Sequence, residues 1–176
     1  VFFYFILEKK ENSKIDNYDK LVKLFESCNI MLETPYDMLE WIWLHMAINA
    51  GVVSIAAKYA DMDNPTEAAE NLMSSSKLLA EAVCAIRETS KIIKARGVNL
   101  KHYRNELWGY KLPIFVSAPI MKRMFATNIL TRKIMTLHNN TEDLLFVCKC
   151  LYDAGKQYNI NAPIFYNAYE KAESKF

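Results

Sequence analysis

MLEWIWLHMAINAGVVSIAAKYA, residues 38–60, is apolar on almost every side when it is wound as a helix. A helix of that kind lies in a protein core or crosses a membrane. Five polar positions interrupt it: Glu40, His45, Asn49, Ser54 and Lys58. So many polar side chains disfavour a membrane span, and no other segment resembles one. We therefore predict the buried central helix of a helical domain and no membrane segment.

Helical patterns continue towards the C-terminus. After a turn at 61–64, Asn64-Pro65 suits the start of a short helix that ends near residue 73. Apolar residues spaced i, i+3, i+4 and i+7 predict a longer helix over 76–96, which Gly97 closes. Five more helical segments are expected: 99–110, one opened by Leu112-Pro113 and bent at Pro119, 129–137 ended by residues 138–140, 142–158 behind a cap at Thr141, and one opened by Ala162-Pro163.

The first 34 residues carry a different pattern. Residues 1–7 are aromatic and β-branched, which is typical of a buried strand, and 29–33 is a second candidate strand. A polar loop and a short helix over 20–27, capped by Asp19, separate them. An isolated strand needs partners for its backbone groups, so we expect the sequence to begin partway through a larger fold.

Composition excludes several classes of function. The chain has 176 residues, of which 52% are hydrophobic and 24% charged, so it can fill a core and is not disordered. Its formal net charge of +2 argues against a nucleic-acid binder that works through a large basic surface. The four glycines are isolated from one another, and no G-x-G-x-x-G motif or P-loop can be written with them.

The cysteines indicate neither a metal nor disulfides. Cys28, Cys84, Cys148 and Cys150 contain no C-x-x-C pair, and the last two point about 200° apart on a helix. We expect four buried or half-buried free thiols in a reducing, cytoplasmic compartment. No H-x-x-x-H or H-E-x-x-H motif is present, so we expect no zinc site.

Two polar groups are candidates for chemistry. His45 and Asn49 are one helical turn apart on an apolar segment. They either hydrogen-bond each other or nearby backbone, or they line a polar pocket between helices. Glu142 and Asp143 open a helix, where carboxylates ordinarily favour the helix dipole.

The segment from Asp37 to Asn49 resembles the entry to the C-terminal domain of ketopantoate reductases (2-dehydropantoate 2-reductases). That family has an acidic residue and then W-x-K-x-x-x-N on a long helix; here the tryptophan is Trp43. Residues 155–163 are similar to the family's small residue, turn and helix-opening proline. The first 34 residues resemble the end of the family's nucleotide-binding domain and its link.

The resemblance implies a mainly α fold, a multi-helix bundle of the 6-phosphogluconate dehydrogenase C-terminal type behind a short β-containing lead. Residues 1–34 would be the remnant of an NADPH-binding Rossmann domain with its linker, and 35–176 the substrate and dimerisation domain of a homodimer. The implied reaction is reduction of a small 2-oxo acid, as in 2-dehydropantoate to pantoate in pantothenate biosynthesis. NADPH would be bound by the parent protein, and the chain alone would be inactive.

The resemblance also implies roles for single residues. Asn49 matches the substrate-holding asparagine, and His45 stands where the family has its proton-donating lysine. The supporting glutamate falls on Asp143, with Glu142 beside it, and the substrate-binding serine falls near Thr131. Because the lysine is lost, an alternative is a degenerate, non-catalytic helical domain used for dimerisation or protein interaction. A third hypothesis is an unrelated helical interaction module.

Overall fold

In the computed structural model of the chain, residues 3–59, 64–137 and 140–175 are described. Within these ranges the chain is mainly helical, with nine helices and two short strands, so the predicted helical class is confirmed. The chain divides into two compact units, 1–43 and 44–176. The predicted domain boundary, between residues 34 and 35, stays a prediction.

The first unit contains a two-stranded parallel sheet. Strand β1 (Phe3–Ile6) pairs with β2 (Ile30–Glu33), in the register Phe3 to Ile30 and Ile6 to Glu33. Helix α1 (Tyr18–Ser27) makes the crossover that a parallel pair requires. Within the described part of residues 1–7 the first predicted strand is confirmed, and so is the second. The first is not buried as predicted, because Phe5 is exposed and Ile6 is half-buried.

One predicted helix cap in this unit is wrong. The residue that precedes α1 is Asn17, which has a left-handed backbone with φ 60°, and Asp19 lies inside the first turn. Asparagine tolerates that conformation better than most residues, so the helix can begin two residues earlier than predicted. The Asp19 carboxylate still favours the N-terminal end of the helix dipole.

The central helix α2 (Met38–Tyr59) is confirmed from its predicted start to residue 59, and its second part is buried as predicted. Residue 60, the predicted end, lies outside the described ranges. Leu44, Ala47 and Ile55 have no exposed surface, whereas Leu39 and Ile42 in its first turns are exposed. Among the described residues, α2 is the one helix that is long and apolar enough to cross a membrane. The core helix of a soluble protein passes the same test, so this property alone assigns no membrane span.

Seven helices follow α2: α3 (Pro65–Ser74), α4 (Ser76–Ala95), α5 (Arg104–Lys111), α6 (Ile114–Thr127), α7 (Ile129–Leu137), α8 (Thr141–Gln157) and α9 (Pro163–Glu173). As predicted, the Asn64 side chain caps α3 by accepting from Glu67 N, and Gly97 follows α4 with φ 114°. The residues 61–63 and 138–139, expected as a turn and a helix end, lie outside the described ranges.

Two predicted helix starts are wrong. The helix expected over 99–110 begins at Arg104, because the Asn99 side chain accepts a hydrogen bond from Lys101 N and residues 100–103 form turns. Helix α8 is capped by Asn140 rather than Thr141, since the Asn140 side chain accepts from Glu142 N at 3.1 Å. An asparagine next to a threonine offers two good caps, and the sequence alone does not rank them.

Helices α2 and α4 cross at very short distance. A Cβ atom built on Gly51 would lie 2.6 Å from Ile86 Cγ1 and 2.7 Å from the Ile86 backbone nitrogen. One turn away, the buried Thr89 hydroxyl donates to the Ala47 carbonyl oxygen at 2.8 Å. The hydrogen bond between Thr89 and Ala47 needs the same close approach of the two helices, so glycine is required at position 51.

The start of α9 is capped from a different helix. Ala162 makes no side-chain cap, and the buried Glu88 of α4 instead accepts a hydrogen bond from Phe165 N at 2.8 Å. This contact fixes α9 against α4 and satisfies one of the backbone N–H groups that a helix start leaves unpaired. Burial raises the pKa of Glu88, while the N–H donors act in the opposite direction.

We expect Gly51→Ala to lower the free energy of unfolding by about 1–3 kcal/mol, since the new methyl meets Ile86 backbone atoms that cannot move alone. Gly109→Ala is the matched control, because a Cβ there meets nothing within 4 Å inside α5. Helix propensity predicts that the control gains up to about 1 kcal/mol. Urea unfolding of both variants checks this, and equal effects would refute the close crossing.

We expect Glu88→Gln to change how stability depends on pH. Because the pKa of Glu88 is raised in the folded chain, its contribution is complete below its ordinary pKa of 4.5 and is lost as pH rises through the raised value. Glutamine keeps an acceptor for Phe165 N but does not titrate. Relative to the variant, the wild type should therefore lose unfolding free energy across that window. A difference that stays constant with pH would contradict this.

Candidate functional site

A cavity of about 320 Å³ lies in the second unit, where α2, α3, α7 and α8 meet. Its walls are mostly apolar and include Val53, Ala68, Met135 and Val147. Two polar side chains with hydrogen-bonding capacity line it, Asn49 and Asp143. An apolar cavity with a few convergent polar groups is the usual form of a small-molecule site.

Asn49 reaches the cavity from α2 and is exposed. Within the described residues its side-chain amide has no hydrogen-bond partner, so both its N–H donors and its carbonyl oxygen are available. Because Asn49 is exposed, burial does not oblige its side chain to hydrogen-bond His45 or nearby backbone.

Asp143 enters from the first turn of α8. Its Oδ2 accepts from Asn140 Nδ2 at 2.9 Å, while the Asn140 oxygen caps the helix start. The carboxylate is therefore held in place by the cap and favoured by the helix dipole. Its second oxygen stays free to accept from a ligand hydroxyl or amide.

The other predicted site residues lie elsewhere. Glu142 is exposed and lines a separate cavity with Phe146, Lys149 and Tyr169. It therefore does not share a cavity with Asp143, although the two residues are neighbours in the sequence. His45 is half-buried on α2, one turn before Asn49, and is not among the residues lining the Asn49–Asp143 cavity. A turn of helix separates the two by about 6 Å along the axis.

Thr131 also lies outside the lining. It is half-buried near the start of α7, where its backbone N–H donates to the Asn128 side chain at 3.0 Å. Helix α7 contributes Ile134 and Met135 to the cavity instead, about one turn further on. Sequence reasoning placed the right helix beside the site but did not predict these apolar residues.

Polar contacts hold α7 against α3 and so close one wall of the cavity. The Thr66 hydroxyl donates to the Thr136 carbonyl oxygen at 3.2 Å, and Arg132 forms a two-pronged ion pair with Glu70. Both contacts are exposed, and none of the α7 side chains is fully buried. Exposed ion pairs stabilise weakly, so this wall is held less firmly than the α2–α4 crossing.

The electrostatics of the cavity are one-sided. Among the described residues that line it there is no lysine, arginine or histidine, and the one ionisable side chain of that set is the Asp143 carboxylate. These residues can hydrogen-bond hydroxyl and amide groups, but they offer no cation to an anionic ligand. Among the described residues, no group of three or more His, Cys, Asp or Glu side chains is placed to hold a metal ion.

Comparison with known proteins assigns no relative to this chain. No family model, no curated protein and no solved structure matches it significantly. The resemblance to ketopantoate reductases therefore rests on the sequence motifs alone.

The cysteines differ from expectation at one position. Cys148 is fully buried, its thiol contacts the Ala50 carbonyl oxygen at 3.8 Å, and burial raises its pKa to about 12. Cys84 and Cys150 are half-buried as predicted, but Cys28 is exposed. Cys28 follows the last residue of α1, a helix with no fully buried residue, so nothing covers its side chain.

We expect iodoacetamide at neutral pH to modify Cys28 first and Cys148 only after unfolding. With a pKa of about 12, only about one in 10⁵ Cys148 side chains is a thiolate at pH 7, and the group has no access to solvent. Peptide mass spectrometry over time gives the order. In a Cys28→Ser control the fast modification should vanish, and comparable rates at Cys28 and Cys148 would contradict the buried assignment.

Proposed function

We propose that this chain is the C-terminal substrate-binding domain of a ketopantoate reductase-like, NADPH-dependent oxidoreductase. The substrate would be a small 2-oxo acid such as 2-dehydropantoate, the parent protein would be a cytoplasmic homodimer, and the chain alone would be inactive. The observation that carries the proposal is that Asn49 and Asp143, which match two positions of the family's polar set, line one cavity although they are far apart in sequence.

NADPH does not fit the residues of this chain. Its glycines are isolated, and the loop after β1 carries Lys9 and Lys10 and no glycine. The backbone therefore has no close approach for a pyrophosphate. In the proposal the cofactor belongs to a Rossmann domain of the parent protein, and this chain contributes the groups that hold the substrate.

Each polar group has a distinct task in this proposal. The Asn49 amide would hydrogen-bond the substrate, and the Asp143 carboxylate would accept from a substrate hydroxyl. His45, at the position of the family's lysine, would supply the proton that the carbonyl oxygen needs, since histidine is the side chain that most often acts as a general acid. Thr131 and Glu142 lie outside the lining of this cavity, so the proposal gives them no contact with the substrate there.

Exposed apolar side chains favour the dimer. Helix α7 exposes Ile129, Leu130, Ile134 and Leu137, and α6 exposes Phe115. Clusters of this kind mark interaction surfaces on soluble domains. The family's C-terminal domain takes part in dimerisation, which agrees with this use.

A second candidate function is a non-catalytic helical domain for dimerisation or protein interaction. The observation that favours it is that the lining residues within the described ranges include no cation, together with the loss of the family's lysine. A 2-oxo acid carries a carboxylate, and burying that charge beside Asp143 without a counter-ion would be unfavourable.

The decisive test uses the full-length protein that contains this chain. NADPH absorbance is followed with 2-dehydropantoate and a panel of small 2-oxo acids, for the wild type, Asn49→Ala and His45→Ala. We expect kcat to fall by about 10²-fold or more for His45→Ala, as for a lost general acid, and KM to rise for Asn49→Ala.

Matched controls separate the site from general surface effects. Asn71→Ala removes another exposed asparagine, on α3, and Asp153→Asn neutralises an exposed carboxylate on α8; both should retain wild-type kinetics. A folded protein that binds NADPH but turns over no acid in the panel would reject the reductase and favour the interaction domain.

A further inference from the structure

A third cavity in the second unit has the opposite electrostatic character to the Asn49–Asp143 cavity. It measures about 190 Å³ and lies between the C-terminal half of α4 and helix α5. In the part of the chain that the structure describes, four cationic side chains and no aspartate or glutamate line it; the cations are Arg87, Lys91, Lys94 and Lys111. For a chain whose formal net charge is only +2, this is a marked local concentration of positive charge.

The three lysines are available for a ligand. Within the described residues, Lys91, Lys94 and Lys111 form no ion pair and no side-chain hydrogen bond. One lysine near a helix C-terminus is ordinary, because it favours the helix dipole. Lys111, however, comes from α5, so the cavity gathers cations from two helices. The three lysines are exposed, and Lys91 also attracts the Glu88 carboxylate on the neighbouring face of α4. An anion in the cavity would attract the cations of both helices at once.

Arg87 is already fixed in position. Its Nε donates to the Tyr110 carbonyl oxygen at 2.6 Å, and its Nη2 donates to the Leu112 carbonyl oxygen. These bonds use two of the five guanidinium N–H groups and leave three for a ligand. A guanidinium that is held before binding loses little freedom when it pairs with an anion.

The remaining lining suits the organic part of a ligand. Leu100 and Leu107 provide apolar surface, and the Tyr110 ring lies beside them. Burial raises the pKa of Tyr110, so its hydroxyl remains a hydrogen-bond donor at neutral pH. The cavity volume is below the usual 300–1,000 Å³ of ligand pockets, which favours a small ligand over a nucleotide or a polymer.

We propose that the cavity between α4 and α5 binds the phosphate group of a small phosphate monoester, with the organic part of the ester against Leu107 and Tyr110. The proposal is independent of the reductase assignment, since none of these residues lines the Asn49–Asp143 cavity. A dianionic phosphate with several acceptor oxygens can pair with the arginine and more than one lysine at once.

The test is titration calorimetry of this chain with phenyl phosphate, with inorganic phosphate and with benzoate at constant ionic strength. We expect saturable binding in the order phenyl phosphate, inorganic phosphate, benzoate. Lys91→Gln/Lys94→Gln should weaken phenyl phosphate binding at least about tenfold, and Lys111→Gln should weaken it from the other helix.

The matched control is Lys77→Gln/Lys133→Gln, which removes the same charge from exposed positions on α4 and α7 outside the cavity. Its affinity should equal that of the wild type, and circular dichroism verifies that every variant is folded. Three results would overturn the proposal: no saturable binding, an equal loss in the control, or a clear preference for DNA oligonucleotides or anionic lipid vesicles over phenyl phosphate.

Discussion

The close crossing of α2 and α4 at Gly51 and Ile86 is the constraint on which the second unit depends. It fixes the rotation of α2 about its own axis. Ala47 and Gly51 are one turn apart on the side that meets α4. Asn49 and Val53 each lie two residues away, which is about 200° around the helix, so they face the opposite side. That opposite side forms a wall of the Asn49–Asp143 cavity, and any residue larger than glycine at position 51 would disturb both the helix crossing and the cavity.

Much of this fold could be predicted from local sequence patterns. Asn64-Pro65, Gly97 and Ala162-Pro163 each mark a helix end through chemistry that acts within a few residues, and the structure has helix ends there. Helix starts were less certain where neighbours compete, as with Asn140 and Thr141. The cap on α9 could not have been predicted, because its acceptor is Glu88, which only the tertiary fold brings to residue 165.

The candidate site likewise combines residues that sequence patterns predict with residues that only the tertiary fold brings together. The motif resemblance predicted Asn49 and Asp143, and these two residues share a cavity. The walls supplied by α3 and α7 were not predicted, because the pairing of Thr66 with Thr136 and of Glu70 with Arg132 has no local pattern. The overall composition also failed to indicate the cation-lined cavity, for a different reason. A net charge near zero excludes a large basic surface, but it averages over the chain and conceals four cations around one small cavity.

Helix α4 takes part in the crossing with α2, the cap of α9 and the cation-lined cavity, because each involves a different face of the helix. At about 100° per residue, Ile86 and Thr89 share the face that meets α2, and Glu88 lies on another face, where it caps α9. Arg87, Ser90, Lys91 and Lys94 fall within about 100° of one another on a third face. Packing determines the residues on the first two faces, because the buried Ile86 side chain meets α2 and the buried Glu88 carboxylate accepts a hydrogen bond from α9. On the third face Arg87 has a packing role, because it donates to the Tyr110 and Leu112 carbonyl oxygens. Lys91 and Lys94 on the same face, and Lys111 on α5, are exposed, so packing does not require them. Cations gathered from two helices around one cavity attract an anion, which is the physical case for a ligand there.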